Sequence, residues 1–202
     1  LCLMARGHGP LAATLKRELR VIGADLDARI LHLQGAGHEV SDVGYDHLIL
    51  AAGAVTNTFG IAGVAQHGFP LYSLGDAVRL RNHVLERFEA AAADPSLIDD
   101  GALTFVVVGG GPTGVEVAGA LIELFRLVLR KDFRTLDVAR ARVVLVEMQD
   151  DVLGPFSPVS QRHARETLEH RGVEIRTQTQ VARVRAGQVA FADGEVLAAH
   201  TL

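Results

Sequence analysis

Apolar positions along the chain change their spacing from segment to segment, and the changes outline its elements. Leu11, Leu15 and Leu19 recur every four residues, the spacing of one helical face. Ile30-Leu31-His32-Leu33, a Gly35-Ala36-Gly37 turn and Glu39-Val40 then alternate with period two and lead into Tyr45 to Gly53. That pattern predicts short hairpin strands feeding a final buried strand. Gly60, Gly63, Gly68 and Pro70 punctuate residues 54–72 as loop. Ser73 and Asp76 have capping-box spacing, so a helix should start there. Its buried stripe would be Ala77, Leu80, Val84, Phe88 and Ala91, with Arg79, Arg81, Glu86 and Arg87 outward, and Asp94-Pro95 ends it.

From Ala102 the period changes. Leu103 to Val108 is a continuous run rich in β-branched residues, the pattern of a strand buried on both faces. A long helix should follow from Thr113 to about Lys131, with Val117, Leu121, Leu124 and Val128 as its stripe. Val143 to Val146 reads as a second buried strand ending at Glu147. Ser157-Pro158 has the form of an N-cap and first-turn proline, opening a helix that stops at Gly172 before a third strand at Val173-Glu174-Ile175. Strand-helix-strand-helix-strand implies a parallel sheet, so the fold class is α/β. Three further strands, Val181 to Val184, Val189 to Phe191 and Val196 to Leu202, would form an antiparallel flap.

These last strands faintly repeat the earlier hairpin stretch. The first copy finishes in Ala51-Ala52-Gly53, whereas the second stops before its equivalent. With no initiator methionine ahead of Leu1-Cys2-Leu3, the expectation is an internal fragment of a longer protein.

Composition narrows the classes. Apolar residues at 49% and charged residues at 22% are ordinary globular usage and argue against wholesale disorder. A net charge of −4 leaves no basic footprint for nucleic acid. No apolar run approaches the roughly 20 residues that span a bilayer, and an intracellular, soluble chain is expected. The single cysteine, Cys2, excludes a disulfide framework or a CxxC pair within this chain. The histidines lack metal-ligand spacing and the carboxylates do not cluster, so no metal site is expected.

The candidate chemistry lies at Gly109-Gly110-Gly111-Pro112-Thr113-Gly114. A bare GxGxxG match is weak, but this one follows a buried strand and opens a helix. Gly109 would allow the tight turn, Gly111 a close backbone approach to a pyrophosphate, and Gly114 close helix–strand packing. The helix N-terminus would offer free N–H groups and partial positive charge to the phosphates. A ligand-free glycine turn is the competing reading. Glu147 ends the second strand, where an acidic residue accepts from ribose hydroxyls and repels the extra phosphate of NADP, so NAD(H) is preferred. It lies 33 positions after Gly114, beyond the usual spacing of about 20. Glu116, expected in the first turn of the phosphate-facing helix, either complements the dipole or faces the nicotinamide.

At this point the chain resembles a known family. Val106 to Gly119 is similar to the NADH-domain signature of two-dinucleotide flavoprotein reductases, and most closely to the type II, non-proton-pumping NADH dehydrogenases. Tyr45 to Phe59, Ala77 to Leu85 and the insert before Val143 resemble that branch in particular. The resemblance covers roughly residues 21–202 and implies a Rossmann-like three-layer NADH domain with an antiparallel β-meander, plus the β-rich tail of an incomplete FAD domain. The implied division is 1–59 as FAD-domain segment, 60–100 as linker with one helix, and 101–202 as NADH domain. The implied reaction passes hydride from NADH to FAD and electrons on to a quinone, with this fragment inactive by itself.

Glu116 matches a glutamate that the family places near nicotinamide and flavin, which makes it the catalytic candidate. The cofactor contacts are then Gly109, Gly110, Gly111, Pro112, Thr113, Gly114, Glu147 and Val181, with Ala52 and Gly53 beside the FAD. Alanine at Ala52 replaces the family's threonine, so a hydroxyl contact is lost. A cytoplasmic location, peripheral on the inner face of the membrane when intact, follows from the same resemblance, and a homodimer is compatible with it. Another flavoprotein reductase acting on ferredoxin or a disulfide, or a non-catalytic NADH-binding module, are the rival readings.

Overall fold

A computed structural model describes residues 19–51 and 55–202. The helix expected from Leu11 and the Ala52-Gly53 pair therefore lie outside the described residues. The chain divides into two compact units, Leu1–Val55 and Thr56–Leu202.

In the first unit, β1 (Arg20–Asp25), β2 (Ile30–Gln34) and β3 (Val40–Gly44) form an antiparallel sheet in sequence order. Leu31 and Leu33, two residues apart, are its buried side chains, while His32 on the other face pairs with Asp42 at 2.6 Å. β1 escapes the alternation pattern because Gly23 interrupts it, and the register shifts between Val21 and Gly23. The buried strand expected over Tyr45 to Gly53 does not form among the described residues. Leu48 to Leu50 pair with no strand, and Leu50 stays 76% exposed. An apolar run becomes a strand only where a neighbouring edge accepts its N–H and C=O groups.

The second unit opens with the short helix α1 (Val64–His67), held to the flap where Val184 N–H donates to Ala62 O. Helix α2 (Leu74–Ala93) starts on the predicted box: Ser73 Oγ accepts from Asp76 N–H, and the Asp76 carboxylate accepts from Ser73 N–H. The Ser73 hydroxyl and amide hold the Asp76 carboxyl below the usual carboxylate range. Val84, Phe88 and Ala91 are buried as expected, but Ala77 is exposed because the first turns of α2 run past the core. Arg87 also departs from expectation. It is half-buried, and its Nε has no partner among the described residues. Residues 60–100, expected as a linker with one helix, contain α2, whose Phe88 meets Phe105 and Phe125 in the core.

β4 (Thr104–Val108), β5 (Arg142–Val146) and β6 (Val173–Arg176) form a parallel sheet in that order. Its two faces separate by residue parity. Phe105, Val143 and Leu145 pack under the helices, whereas Val106, Val144 and Val146 pack against a meander of β7 (Val181–Arg185), β8 (Gln188–Phe191) and β9 (Val196–Ala198). The fold is thus three-layered α/β, with helices, parallel sheet and antiparallel meander. The last stretch, expected as one strand to Leu202, divides. β9 stays in the meander, and Thr201 crosses to lie parallel beside Phe105. Gly101 permits this crossing, since a Cβ there would meet the Ala198 carbonyl carbon at 2.4 Å.

His83 on α2 braces the crossing. Its Nε2 lies 3.0 Å from His200 O and 2.9 Å from Thr201 Oγ1. Burial pulls its pKa below the ordinary imidazole value, against the opposing pull of the His200 carbonyl.

Helix α3 (Pro112–Glu123) continues through a π-helical stretch, Leu124–Leu129, into a final turn at Arg130–Asp132. Its buried stripe is Ala118, Ile122, Phe125 and Leu129, one residue later than predicted, and Val128 is exposed. The segment is apolar nearly all round, so two adjacent stripes fit its period equally well. α4 (Pro158–His170) has the expected Ser157 cap and is followed by Gly172 at φ 87°. Among the described residues, no helix is long and apolar enough to cross a membrane.

Candidate functional site

Thr201 and β5 flank β4 on opposite sides, so the chain leaves β4 in one direction and returns on the other. In open α/β sheets, ligands bind outside the carboxyl ends of strands at such a switch point. The glycine loop stands there. Gly109 N–H donates to Val146 O at 2.8 Å, and its φ of 105° turns the chain away from the sheet. A Cβ on Gly114 would lie 1.8 Å from Gly109 O, so this glycine sets how closely α3 approaches the strand end. A Cβ on Gly111 would meet nothing within 4 Å, leaving that backbone open to a ligand.

Gly111 caps α3 without a side-chain bond, and Pro112 occupies the first turn, where its missing N–H costs nothing. The first intrahelical bond runs from Val115 N–H to Gly111 O. The amides of Gly111, Thr113 and Gly114 donate to no group among the described residues. Three N–H groups at the positive end of a helix form an anion cradle. The residues present therefore fit a dinucleotide pyrophosphate.

Glu147 continues from β5 and reaches the same loop. Its Oε2 accepts from Gly110 N–H at 2.6 Å, and its Oε1 accepts from Gln149 N–H at 2.8 Å. A carboxylate offers about four acceptor positions, so roughly one remains on each oxygen. Two adjacent ribose hydroxyls would match those two positions.

The other candidates are placed less centrally. Glu116 is the fifth residue of α3, past the first turn expected for it, because the helix already begins at Pro112. It is exposed, and its side chain has no partner among the described residues. Val181 is buried in the core between sheet and meander, so a ligand could meet only its main chain. Ala52 and Gly53 lie outside the described residues.

Pattern reading missed the loop after β5. Leu153 N–H donates to Gly110 O at 2.7 Å, and Leu153 itself sits at φ 54°, where a branched side chain is strained. Arg165 on α4 donates from Nε and Nη2 to Asp151 Oδ1 at 3.0 and 2.7 Å. Burial alone would raise the Asp151 pKa; the Arg165 bonds and the Val152 amide outweigh it and hold the carboxyl below its usual range.

Residues 8–202 match the family model described as pyridine nucleotide-disulphide oxidoreductase. The type II NADH:quinone oxidoreductase NdhA of Mycobacterium tuberculosis is 36% identical over 174 residues, which are 84% of this chain and 37% of that protein. The Ndh protein of the same organism is 38% identical over 153 residues, 75% of this chain and 33% of that protein. This chain thus spans about a third of the length of the curated relatives it matches. The structure of NDH2 from Plasmodium falciparum in complex with NADH superposes with a TM-score of 0.80. It covers 92% of this chain and 39% of that one at 21% identity, a likeness of fold alone.

Proposed function

The chain belongs to the pyridine nucleotide-disulphide oxidoreductase family, and from that premise we propose that it is the NADH-binding part of a type II NADH:quinone oxidoreductase. The observation that carries this reading is the set of free amides at Gly111, Thr113 and Gly114 beside the Glu147 carboxylate. Gly111, Thr113 and Gly114 would bind the pyrophosphate, with Gly109, Gly110 and Pro112 shaping the loop and Val181 contributing main chain. The remaining acceptor positions of Glu147 would hold the adenosine ribose. Glu116, exposed on the helix that carries the loop, would orient the nicotinamide. When bound, the nicotinamide supplies a hydride, and these residues bind and aim it rather than react.

The M. tuberculosis relatives support the same assignment, since both are named type II NADH:quinone oxidoreductases. In the intact protein, FAD would take the hydride and a quinone the electrons. Residues 1–59 would belong to the FAD domain, including Ala52 and Gly53, and 101–202 to the NADH domain, with 60–100 joining them. Peripheral attachment to the inner face of the membrane and a homodimeric assembly belong to this reading and rest on the family resemblance alone.

Calorimetric titration of the chain with NADH and, separately, NADPH tests the assignment. Tighter binding of NADH is expected. Failure of both nucleotides to bind at millimolar concentration would overturn it.

A further inference from the structure

The Gly110–Gly111 peptide is held at one end and free at the other. Its carbonyl, Gly110 O, accepts from Leu153 N–H at 2.7 Å, while its amide, Gly111 N–H, is one of the three open donors. A peptide unit is planar, so fixing the carbonyl fixes the direction of the amide. Aim at the pyrophosphate therefore depends on what holds Leu153.

Leu153 is held by one side chain on α4. Gln161 Nε2 lies 3.3 Å from Leu153 O, 3.0 Å from Gly154 O and 3.1 Å from Phe156 O. Its two N–H groups thus gather three carbonyls of one turn, a turn also closed by Phe156 N–H to Leu153 O at 2.8 Å. The strained φ of 54° at Leu153 persists because these bonds over-determine the turn. The neighbouring Val152 is fully buried and anchors the loop.

We propose that Gln161 is a positioning residue for dinucleotide binding: by gathering the Leu153, Gly154 and Phe156 carbonyls it sets Leu153 N–H against Gly110 O and so aims Gly111 N–H at the pyrophosphate. It touches no part of the cofactor itself. This inference rests on the reading of the glycine loop as the NADH site.

The test compares Gln161→Ala, Gln161→Asn and Gln161→Lys with the unaltered chain, by NADH calorimetry and thermal melting. Alanine removes the donors, and asparagine is too short to reach all three carbonyls. The lysine ammonium restores three donors. Gln161→Ala and Gln161→Asn are expected to weaken NADH binding by roughly fivefold to tenfold, about the loss of one neutral hydrogen bond. Gln161→Lys is expected to recover most of that loss. If Gln161→Ala fails to fold, the asparagine and lysine variants carry the comparison. Affinity within twofold of the unaltered chain in a folded alanine or asparagine variant, even with a lowered melting temperature, would make Gln161 a structural residue only and overturn the proposal. No binding by the unaltered chain would instead overturn the site reading on which it stands.

Discussion

Gly114→Ala is expected to weaken NADH binding by at least about tenfold and to lower the melting temperature of the chain by several degrees. The added Cβ would stand 1.8 Å from Gly109 O, a backbone atom at the end of β4 that no side-chain rotation can move. Either α3 must shift away from the sheet or the turn at Gly109 must open, and overpacking of this kind costs about 1–3 kcal/mol. In a unit of this size each kcal/mol lowers the melting temperature by roughly 2–4 °C. Binding suffers more than stability, because a shift of α3 carries the Thr113 and Gly114 amides out of line with Gly111. Gly119→Ala on the same helix is the control. Its Cβ would meet only Leu168 Cδ2 at an ordinary 3.5 Å, so unchanged affinity is expected there. Equal effects of the two substitutions, read by calorimetry and thermal melting, would remove Gly114 from the account.

Glu147→Arg is expected to reverse the nucleotide preference, shifting the ratio of NADPH to NADH affinity by roughly a hundredfold. The carboxylate accepts from Gly110 and Gln149 and retains acceptor capacity for a ribose diol. A 2′-phosphate placed there would meet a like charge and lose a hydrogen-bond partner together. Arginine replaces repulsion with a bidentate donor suited to phosphate. The gain for NADPH should be smaller than the loss for NADH, because the substitution also frees Gly110 N–H and loosens the loop. Glu147→Gln separates the contributions: it removes the charge and keeps one acceptor, so NADPH should improve while NADH weakens only modestly. Unchanged selectivity in both variants, measured by titration with each nucleotide, would place the ribose elsewhere.

Legibility in the sequence followed how local each determinant is. The Ser73–Asp76 box and the Ser157-Pro158 start are set within four residues of chain, and both appear where the pattern puts them. β4 and β5 are apolar on both faces because helices cover one side and a meander the other, which a continuous run of β-branched residues announces. The buried stripe on α3 lies one residue later than its period predicts, because nearly every position there is apolar and the period carries no information. The run from Leu48 to Leu50 looks like a strand, but strand formation depends on a neighbour that no local pattern encodes. β1 was hidden by Gly23, and the division of the last stretch at Ala199-His200 by a contact with Gly101 far away in sequence.

The backbone geometry of the candidate site was legible to the same degree. Glycines at Gly109, Gly111 and Gly114 each occupy a backbone position that the motif assigns by type, so the turn, the open approach and the close packing could be read in advance. Glu116 could not be placed to within a turn, since the start of the helix at Pro112 decides it. Gln161 gave no signal at all. A glutamine four residues into an amphipathic helix reads as solvated surface, and only the folded loop shows that it meets three carbonyls.

A pyrophosphate docked on the three open amides of the glycine loop would perturb those amides before any others. Backbone amide NMR spectra of the chain, recorded during an NADH titration, read this docking residue by residue. Gly111, Thr113 and Gly114 are expected to shift most, with Gly110 and Gln149 following as Glu147 takes up the ribose. A saturable titration in which those amides stay fixed, while the largest shifts fall at the opposite, amino-terminal end of β4 and β5, in the cleft lined by Ile98, Gly101 and Arg140, would overturn that placement.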